Sequence, residues 1–327
     1  MSQHWRIITG DSRASLAAMP DCSVHCAVTS PPYWGLRDYG VDGQMGLEKS
    51  PAEFVAGMVG VFREVRRVLR GDGTCWVNIG DSYCNTDKWG GGGPNAGKQT
   101  IADDGSVPSW NVRAKREPFG LKPKDLCGVP WRLALALQDD GWYLRQDIIW
   151  AKPNPMPESV TDRCTKAHEY IFLLSKSPRY FYDAAAISEP WTSGRDDMRK
   201  HGVRTGAAYI QQGAVMHNSD KGDRAAERDQ HDYEGGRNSR SVWTIATQPS
   251  SVPHYAMFPE ELPRRCIKAG CPVGGVILDP FSGMATTGKV ALEMGRSYVG
   301  IELNPKYAED SRARLREVSP LLAMEAA

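Results

Sequence analysis

The sequence of 327 residues lacks a secretory leader, a membrane-spanning segment and closely paired cysteines. It has no basic-then-apolar leader at its start, no apolar run of membrane-span length, and no Cys-x-x-Cys pair. We therefore expect a cytoplasmic protein with no membrane partner. Its eight cysteines are scattered, which favours reduced thiols over disulfides and predicts no zinc or other metal site.

An excess of charge of either sign is also missing. Forty basic residues stand against 39 acidic ones, which gives a formal net charge of +1. Any nucleic-acid-binding patch must therefore be local. The apolar fraction of 41% and the length are those of a globular chain that forms one large domain or two small ones.

The most informative stretch runs from Val24 to Tyr33. Its first part is a short apolar run that predicts a buried strand, and the strand must end at Ser30-Pro31-Pro32 because proline cannot donate to a ladder. An acceptor hydroxyl, a fixed carbonyl and an aromatic ring then follow. This set would suit an amino group on a planar ring, such as a flipped nucleobase, although an ordinary loop turn has the same composition.

Strands and helices alternate in the parts of the chain that flank this stretch. Residues 6–9 predict a strand that ends at Gly10-Asp11, residues 12–19 a helix, and Ser50 with Pro51 the start of a helix that ends at Gly71. A strand over 74–79 follows. Such alternation predicts an α/β fold with a doubly wound, mostly parallel sheet, in which Asp11 lies beside the Ser-Pro-Pro-Tyr turn. The glycine-rich residues 34–49 form a loop over that turn.

Near the end of the chain a second strand runs into a glycine-containing loop. The strand is 276–278, the loop begins at Asp279, a helix over 289–294 comes next, and a later strand ends at Glu302. Glycines allow a close approach of the backbone to a ligand, and an acid about twenty residues further on hydrogen-bonds a ribose in nucleotide sites. We therefore expect a cofactor that contains a nucleoside.

A phosphate-binding loop is an alternative interpretation of the same segment. Gly283, Gly288 and Lys289 have P-loop spacing, which would make the protein an NTPase. Position 290 is valine, however, where the magnesium ligand of a P-loop would be serine or threonine. Binding of ATP would favour an NTPase over a protein that binds another nucleoside-containing cofactor.

Two segments have no clear periodicity. Residues 85–118 predict a flexible insertion, and residues 184–250 carry many basic and acidic side chains. The second segment is either a solvated surface or a region that contacts DNA, with Arg237, Asn238 and Arg240 in its densest basic cluster. A non-catalytic DNA-binding protein would explain this segment alone.

Taken in order, these stretches resemble an amino-group DNA methyltransferase of the β arrangement, in which the catalytic half precedes the cofactor half. The resemblance covers nearly the full length and rests on six stretches: 10–11, 29–33, 147–154 with 168–170, 254–259, 279–287 and 300–304. Met284 and Ala285 depart from it, because the family usually has serine and glycine there. We expect the backbone of the loop to be retained and its packing to change.

The resemblance implies an organisation and a set of site residues. It implies a catalytic half over 1–183, a small irregular DNA-recognition lobe over 184–250 and a cofactor half over 251–327. The implied catalytic residues are Ser30, Pro31, Pro32 and Tyr33. The implied contacts to S-adenosyl-L-methionine are Asp11, Thr29, His254, Phe258, Asp279, Phe281, Ser282, Gly283, Thr286, Thr287 and Glu302. DNA would contact Lys152, Arg237, Asn238 and Arg240.

The first residue of the catalytic motif suggests the base. Serine at position 30 is similar to enzymes that methylate cytosine N4, whereas adenine-N6 enzymes usually have aspartate. Both offer an acceptor oxygen, so adenine N6 stays open. Methylation of cytosine C5 is disfavoured, since it needs a nucleophilic cysteine, typically after proline. The expected partners are double-stranded DNA and a cognate restriction endonuclease, with the enzyme a monomer or homodimer.

Overall fold

A single sheet forms the centre of the larger of two structural units. The computed structural model describes residues 4–36, 38, 40–84, 120–190, 236–248 and 258–325. The larger unit is Met1–Tyr182 with Ser241–Ala327, and the smaller is Asp183–Arg240. The strands of the described residues are Trp5–Thr9 (β1), Val24–Thr29 (β2), Leu69–Ile79 (β3), Tyr143–Ala151 (β4), His168–Ser175 (β5), Val242–Thr244 (β6), Val276–Asp279 (β7) and Ser297–Glu302 (β8).

The sheet is mostly parallel, as predicted. Its order is β1-β8-β7-β2-β3-β5-β4-β6, and within the described residues only β5 runs against its neighbours. The strands on either side of β2 are β7, from near the end of the chain, and β3. Because β1, β8, β7, β2 and β3 are all parallel, their carboxyl ends meet at one edge of the sheet. Ligands of open α/β sheets bind at this edge.

Helices cover both faces of the sheet. Their bounds are Ser12–Ala17 (α1), Pro51–Val68 (α2), Val129–Asp139 (α3), Glu261–Gly270 (α4), Thr286–Glu293 (α5) and Pro305–Glu325 (α6). Ala27 packs in the core formed with α1, α2 and α3, whereas Cys26 lies against Gly270 of α4. Successive side chains of a strand point to opposite faces, so the two sets of helices lie on opposite sides. The predicted doubly wound α/β fold is confirmed.

Two predicted helix boundaries were wrong. Helix α2 begins as predicted, with the Ser50 hydroxyl accepting from the Glu53 amide at 3.1 Å, but it ends at Val68 and not at Gly71. The reason is that Leu69 already pairs with Val24 as the first residue of β3. Helix α5 begins at Thr286, three residues before the predicted start at Lys289.

The described residues cover only part of the two segments for which the sequence shows no clear periodicity. Residues 85–118 lie outside the described residues, and so does most of the predicted lobe over 184–250. In the described part of the chain, no helix has the length and apolar character needed to cross a membrane. All eight cysteines are free thiols, five of them buried. Within the same described ranges, no cluster of three or more His, Cys, Asp or Glu side chains could hold a metal ion.

Candidate active site

A cavity of about 420 Å³ lies at the carboxyl edge of the sheet, within the larger unit. It extends from the residues that follow β8 to Asn78, near the carboxyl end of β3. We call its two halves the β8 end and the β3 end. The β8 end is lined by Asp11, Ser12, Phe281, Ser282, Gly283, Met284, Glu302, Leu303, Asn304 and Tyr307. The β3 end is lined by Pro32, Tyr33, Asn78, Trp150, Lys152, Glu169 and Thr247, and Ser30, Pro31, Phe258, Asp279 and Thr286 line the same cavity.

Glu302 is the central acid of the β8 end. One carboxylate oxygen accepts from the Gly283 amide and the other from the Asn304 amide, each at 2.8 Å. Gly283 has φ +51°, a left-handed conformation that suits glycine. Burial raises the pKa of Glu302, and the backbone amides oppose that rise. The carboxylate is thus held in a fixed position by two segments of backbone at the wall of the cavity.

Asp279 is a buried acid at the floor of the cavity, where it joins several segments by hydrogen bonds. Its carboxylate accepts from the Thr29 hydroxyl at 2.6 Å, the Thr287 hydroxyl at 2.9 Å and the Phe281 amide at 3.1 Å. Burial raises the pKa of Asp279 to about 6, although these hydrogen bonds lower it. Thr29 and Thr287 are themselves buried and do not line the cavity. Their place is below the loop, where they join β2 to α5 through the aspartate.

Asp11 occupies the other side of the β8 end. Its carboxylate caps α1 by accepting from the Ala14 amide at 2.8 Å. The preceding residue, Gly10, donates its amide to the Glu302 carbonyl at 2.9 Å. The ends of β1 and β8 are therefore tied together, so that two acidic side chains from distant parts of the chain face one cavity.

At the β3 end the side chains are joined by hydrogen bonds. The Tyr33 hydroxyl donates to Glu169 at 2.5 Å, and the Asn78 amide donates to the same carboxylate oxygen at 3.2 Å. Lys152 forms an ion pair with the other oxygen and lies 4.3 Å from the centre of the Trp150 ring. Ser30, Pro31 and Pro32 line the same cavity as this group. All four residues of the Ser-Pro-Pro-Tyr turn therefore border the cavity.

The loop over 34–49 closes part of the cavity, as its position in the sequence predicts. Leu36, Val41 and Met45 are among its lining residues. The loop is pinned at its base, because the Gly35 amide donates to the Gly46 carbonyl at 2.8 Å.

Comparisons with known proteins agree with this architecture. A family model described as DNA methylase, of the N6/N4 methyltransferase type, matches residues 24–313. The chain belongs to this DNA methylase family. Among its relatives, the Type II methyltransferase M.Cfr9I of Citrobacter freundii is 44% identical over 311 residues, which is 95% of this chain and 87% of the relative. M.SmaI of Serratia marcescens is also 44% identical, over 95% of this chain and 90% of its own length.

Solved structures share the fold of this DNA methylase. TTHA0409 of Thermus thermophilus, in a complex with S-adenosyl-L-methionine, has a TM-score of 0.56 at 24% identity and covers 96% of this chain and 94% of its own. The cytosine-N4-specific PvuII DNA methyltransferase has a TM-score of 0.61 at 17% identity, over 99% and 92%. These two similarities show that the chain shares its fold with these proteins.

The position of Lys289 argues against the P-loop interpretation. Lys289 of the DNA methylase pairs with Glu260 at 2.6 Å and with Glu293 at 3.5 Å. It does not line the cavity. A P-loop lysine must reach the phosphates. Because the chain belongs to an enzyme family, a purely DNA-binding protein is also excluded.

The departure at Ala285 has a visible consequence in the DNA methylase. Ala285 is buried and adopts φ +54° and ψ +40°, the left-handed conformation that glycine would hold without strain. An alanine there is disfavoured by about 1–2 kcal/mol. The loop nevertheless keeps its turn, since the Ala285 amide donates to the Ser282 carbonyl at 2.8 Å.

The predicted DNA contacts fall in different places. Lys152 lies in the cavity, paired with Glu169. Arg237 and Arg240 lie in the smaller unit and both pair with Glu189, at 3.0 and 2.8 Å. Asn238 belongs to the same described segment. His254, predicted at the cofactor site, lies outside the described residues.

Sequence reasoning missed several residues of the β3 end. Asn78 is a polar residue in the apolar run of β3, which could have marked it, because a buried amide needs partners. Glu169 lies in residues 168–170, a stretch that carries the family resemblance, but the resemblance by itself implies no role for this side chain. Nothing in the sequence marks Trp150 as a cavity residue, since an apolar residue in a strand usually belongs to the core.

Proposed function

We propose that this DNA methylase transfers the methyl group of S-adenosyl-L-methionine to the exocyclic N4 amine of cytosine in double-stranded DNA. One observation carries the proposal: Ser30 and Pro31 line the same continuous cavity as Asp11 and Glu302. An acceptor pair suited to an amine and an acidic pair suited to a nucleoside thus open onto one space. Adenine N6 is the alternative acceptor.

The β8 end fits the cofactor. The volume of the whole cavity, about 420 Å³, lies within the range of 300–1,000 Å³ that is usual for small-ligand sites. Glu302, held by two backbone amides, would accept from the ribose hydroxyls, and Asp11 would accept from the adenine amine. Residues from Asp279 to Gly283 would surround the methionine end, with Phe281, Ser282 and Thr286 as neighbours and with Thr29 and Thr287 supporting them from below.

The protein needs to supply few chemical groups around the acceptor amine, because the methyl donor is already activated. S-adenosylmethionine supplies a methyl group that is already activated on a sulfonium. The Ser30 hydroxyl and the Pro31 carbonyl would accept from the two amine hydrogens of the base and favour a more tetrahedral nitrogen. The Tyr33 ring would stack on the flipped base, and Pro32 fixes the turn between them. Catalysis is then mainly positioning, in line and without a covalent enzyme intermediate.

Ser30 favours cytosine over adenine. In the family that the chain resembles, serine at this place is typical of N4 enzymes and aspartate of N6 enzymes. The names of the 44%-identical relatives, Type II methyltransferases, further support a role beside a cognate restriction endonuclease. We place recognition of the DNA sequence in the segment over 184–250, with the exposed side chain of Arg240 near phosphate.

One assay tests the proposal. The protein is incubated with unmethylated DNA and labelled S-adenosylmethionine, and the DNA is then digested to nucleosides for mass spectrometry. We expect N4-methylcytosine. N6-methyladenine would overturn the assignment based on Ser30 and leave the cofactor and fold in place, whereas the absence of any labelled nucleoside would refute the proposed activity.

A further inference from the structure

The β3 end contains a partly buried acid to which no role has been assigned. Glu169 is held by three donors on three different strands or turns: the Tyr33 hydroxyl, the Asn78 amide and the Lys152 ammonium. We call these four residues the Glu169 network. The side chains of Glu169 and Lys152 are only 15% and 18% exposed, so solvent competes little for these bonds.

The network determines where the Tyr33 ring stands. One of its restraints is at the hydroxyl, which donates to Glu169 at 2.5 Å and has the Asn78 oxygen as a longer acceptor at 3.3 Å. The other is Gly80, because a β-carbon there would approach the Tyr33 ring to 2.7 Å. The edge of the ring therefore packs against the backbone of Gly80, and its hydroxyl is held by the Glu169 carboxylate. A tyrosine side chain with both points fixed has lost its rotamer freedom.

We propose that Glu169 is a positioning residue: it fixes Tyr33 and thereby the surface on which the target base stacks. This inference rests on the proposed methyltransferase function. The target amine must face Ser30 and the methyl donor together, and misplacement by about 1 Å is enough to slow a positioned reaction about 100-fold. Glu169 acts through Tyr33 and not on the base.

A carboxylate is required because of how the donors are arranged. Tyr33 and Asn78 donate to one oxygen of Glu169, and Lys152 to the other. A glutamine has a single acceptor oxygen, and this oxygen must face Lys152, because an ammonium can only donate. The amide nitrogen then faces Tyr33 and Asn78, so the Tyr33 hydroxyl can no longer donate to residue 169. Glu169→Gln is nearly the same size and therefore removes one set of bonds without creating a cavity.

The test uses a double-mutant cycle with Glu169→Gln, Tyr33→Phe and the double variant. Single-turnover methylation of unmethylated DNA gives the rate, calorimetry gives the affinity for S-adenosylmethionine, and thermal denaturation reports folding. We expect each single variant to be slowed about 10- to 100-fold, with cofactor affinity within about twofold of the wild type. The double variant should be no slower than about twofold beyond the slower single variant.

Glu158→Gln is the matched control. Glu158 is also a partly buried glutamate with a basic partner, Arg163 at 2.6 Å, and it does not line the cavity. We expect this control to keep the wild-type rate.

Three outcomes would overturn the inference. They are an unchanged rate in Glu169→Gln, losses that multiply in the double variant, or a loss of cofactor affinity that matches the loss of rate. If Glu169→Gln does not fold, Tyr33→Phe alone decides, and a wild-type rate in that variant refutes the role. Failure of the proposed methyltransferase function can be told apart from failure of this inference. In the former case the wild-type protein itself transfers no methyl group.

Discussion

Asp279→Asn should change the pH dependence of stability in a calculable way. The aspartate is buried with a pKa of about 6, against an ordinary value of 3.8. The folded state therefore binds the proton more tightly than the unfolded state. The stability that this acid contributes is complete below pH 3.8 and is lost as the pH rises through 6. The full difference is about 3 kcal/mol, of which about 1.4 kcal/mol lies between pH 5 and pH 8.

The asparagine can keep the hydrogen bonds of the aspartate. Its oxygen can accept from the Thr29 hydroxyl and the Phe281 amide. Its amide nitrogen can donate to the oxygen of Thr287, whose hydroxyl can turn to the Val28 carbonyl, 3.5 Å away. The substitution then removes mainly the titration at this position.

Urea denaturation at pH 5 and pH 8 measures the effect. The free energy of unfolding of Asp279→Asn, minus that of the wild type, should be about 1.4 kcal/mol larger at pH 8 than at pH 5, because only the wild type loses stability over this interval. Asp72→Asn, on an exposed side chain paired with Arg70, is the control for removing one carboxylate. The same difference between variant and wild type at both pH values would refute the raised pKa of Asp279.

Three further substitutions separate the roles along the cavity. Ser30→Ala should slow methyl transfer about 10- to 100-fold and leave the affinity for S-adenosylmethionine intact, since only an acceptor to the amine is lost; equal turnover would remove Ser30 from the mechanism. Glu302→Ala should weaken cofactor binding in calorimetry about 10- to 100-fold, with Glu309→Ala on α6 as a surface control, and an unchanged affinity would contradict the ribose contact. Lys289→Ala should leave cofactor binding and transfer within about twofold of the wild type, because this lysine pairs with Glu260 outside the cavity. Loss of nucleotide binding there would revive the P-loop interpretation.

Local patterns were sufficient for most elements of the fold. The strand before Ser30 was predictable because β-branched residues stop at two prolines, and the start of α2 was predictable from Ser50 and Pro51. The ends of helices were harder to predict from local patterns. Gly71 is a plausible helix terminator by itself, but pairing of Leu69 with Val24 extends β3 back to that point. Long-range strand pairing overrides the local preference.

The sequence by itself determined the alternation of strands and helices, the proline turn and the acids at strand ends, because each depends on neighbouring residues. Only the tertiary structure decided which of these side chains share a cavity. Parallel pairing of β2 with β7 brings Thr29 to Asp279, and pairing of β3 with β5 brings Asn78 to Glu169. Contacts between residues this far apart depend on the strand order of the sheet, which no short stretch of sequence contains.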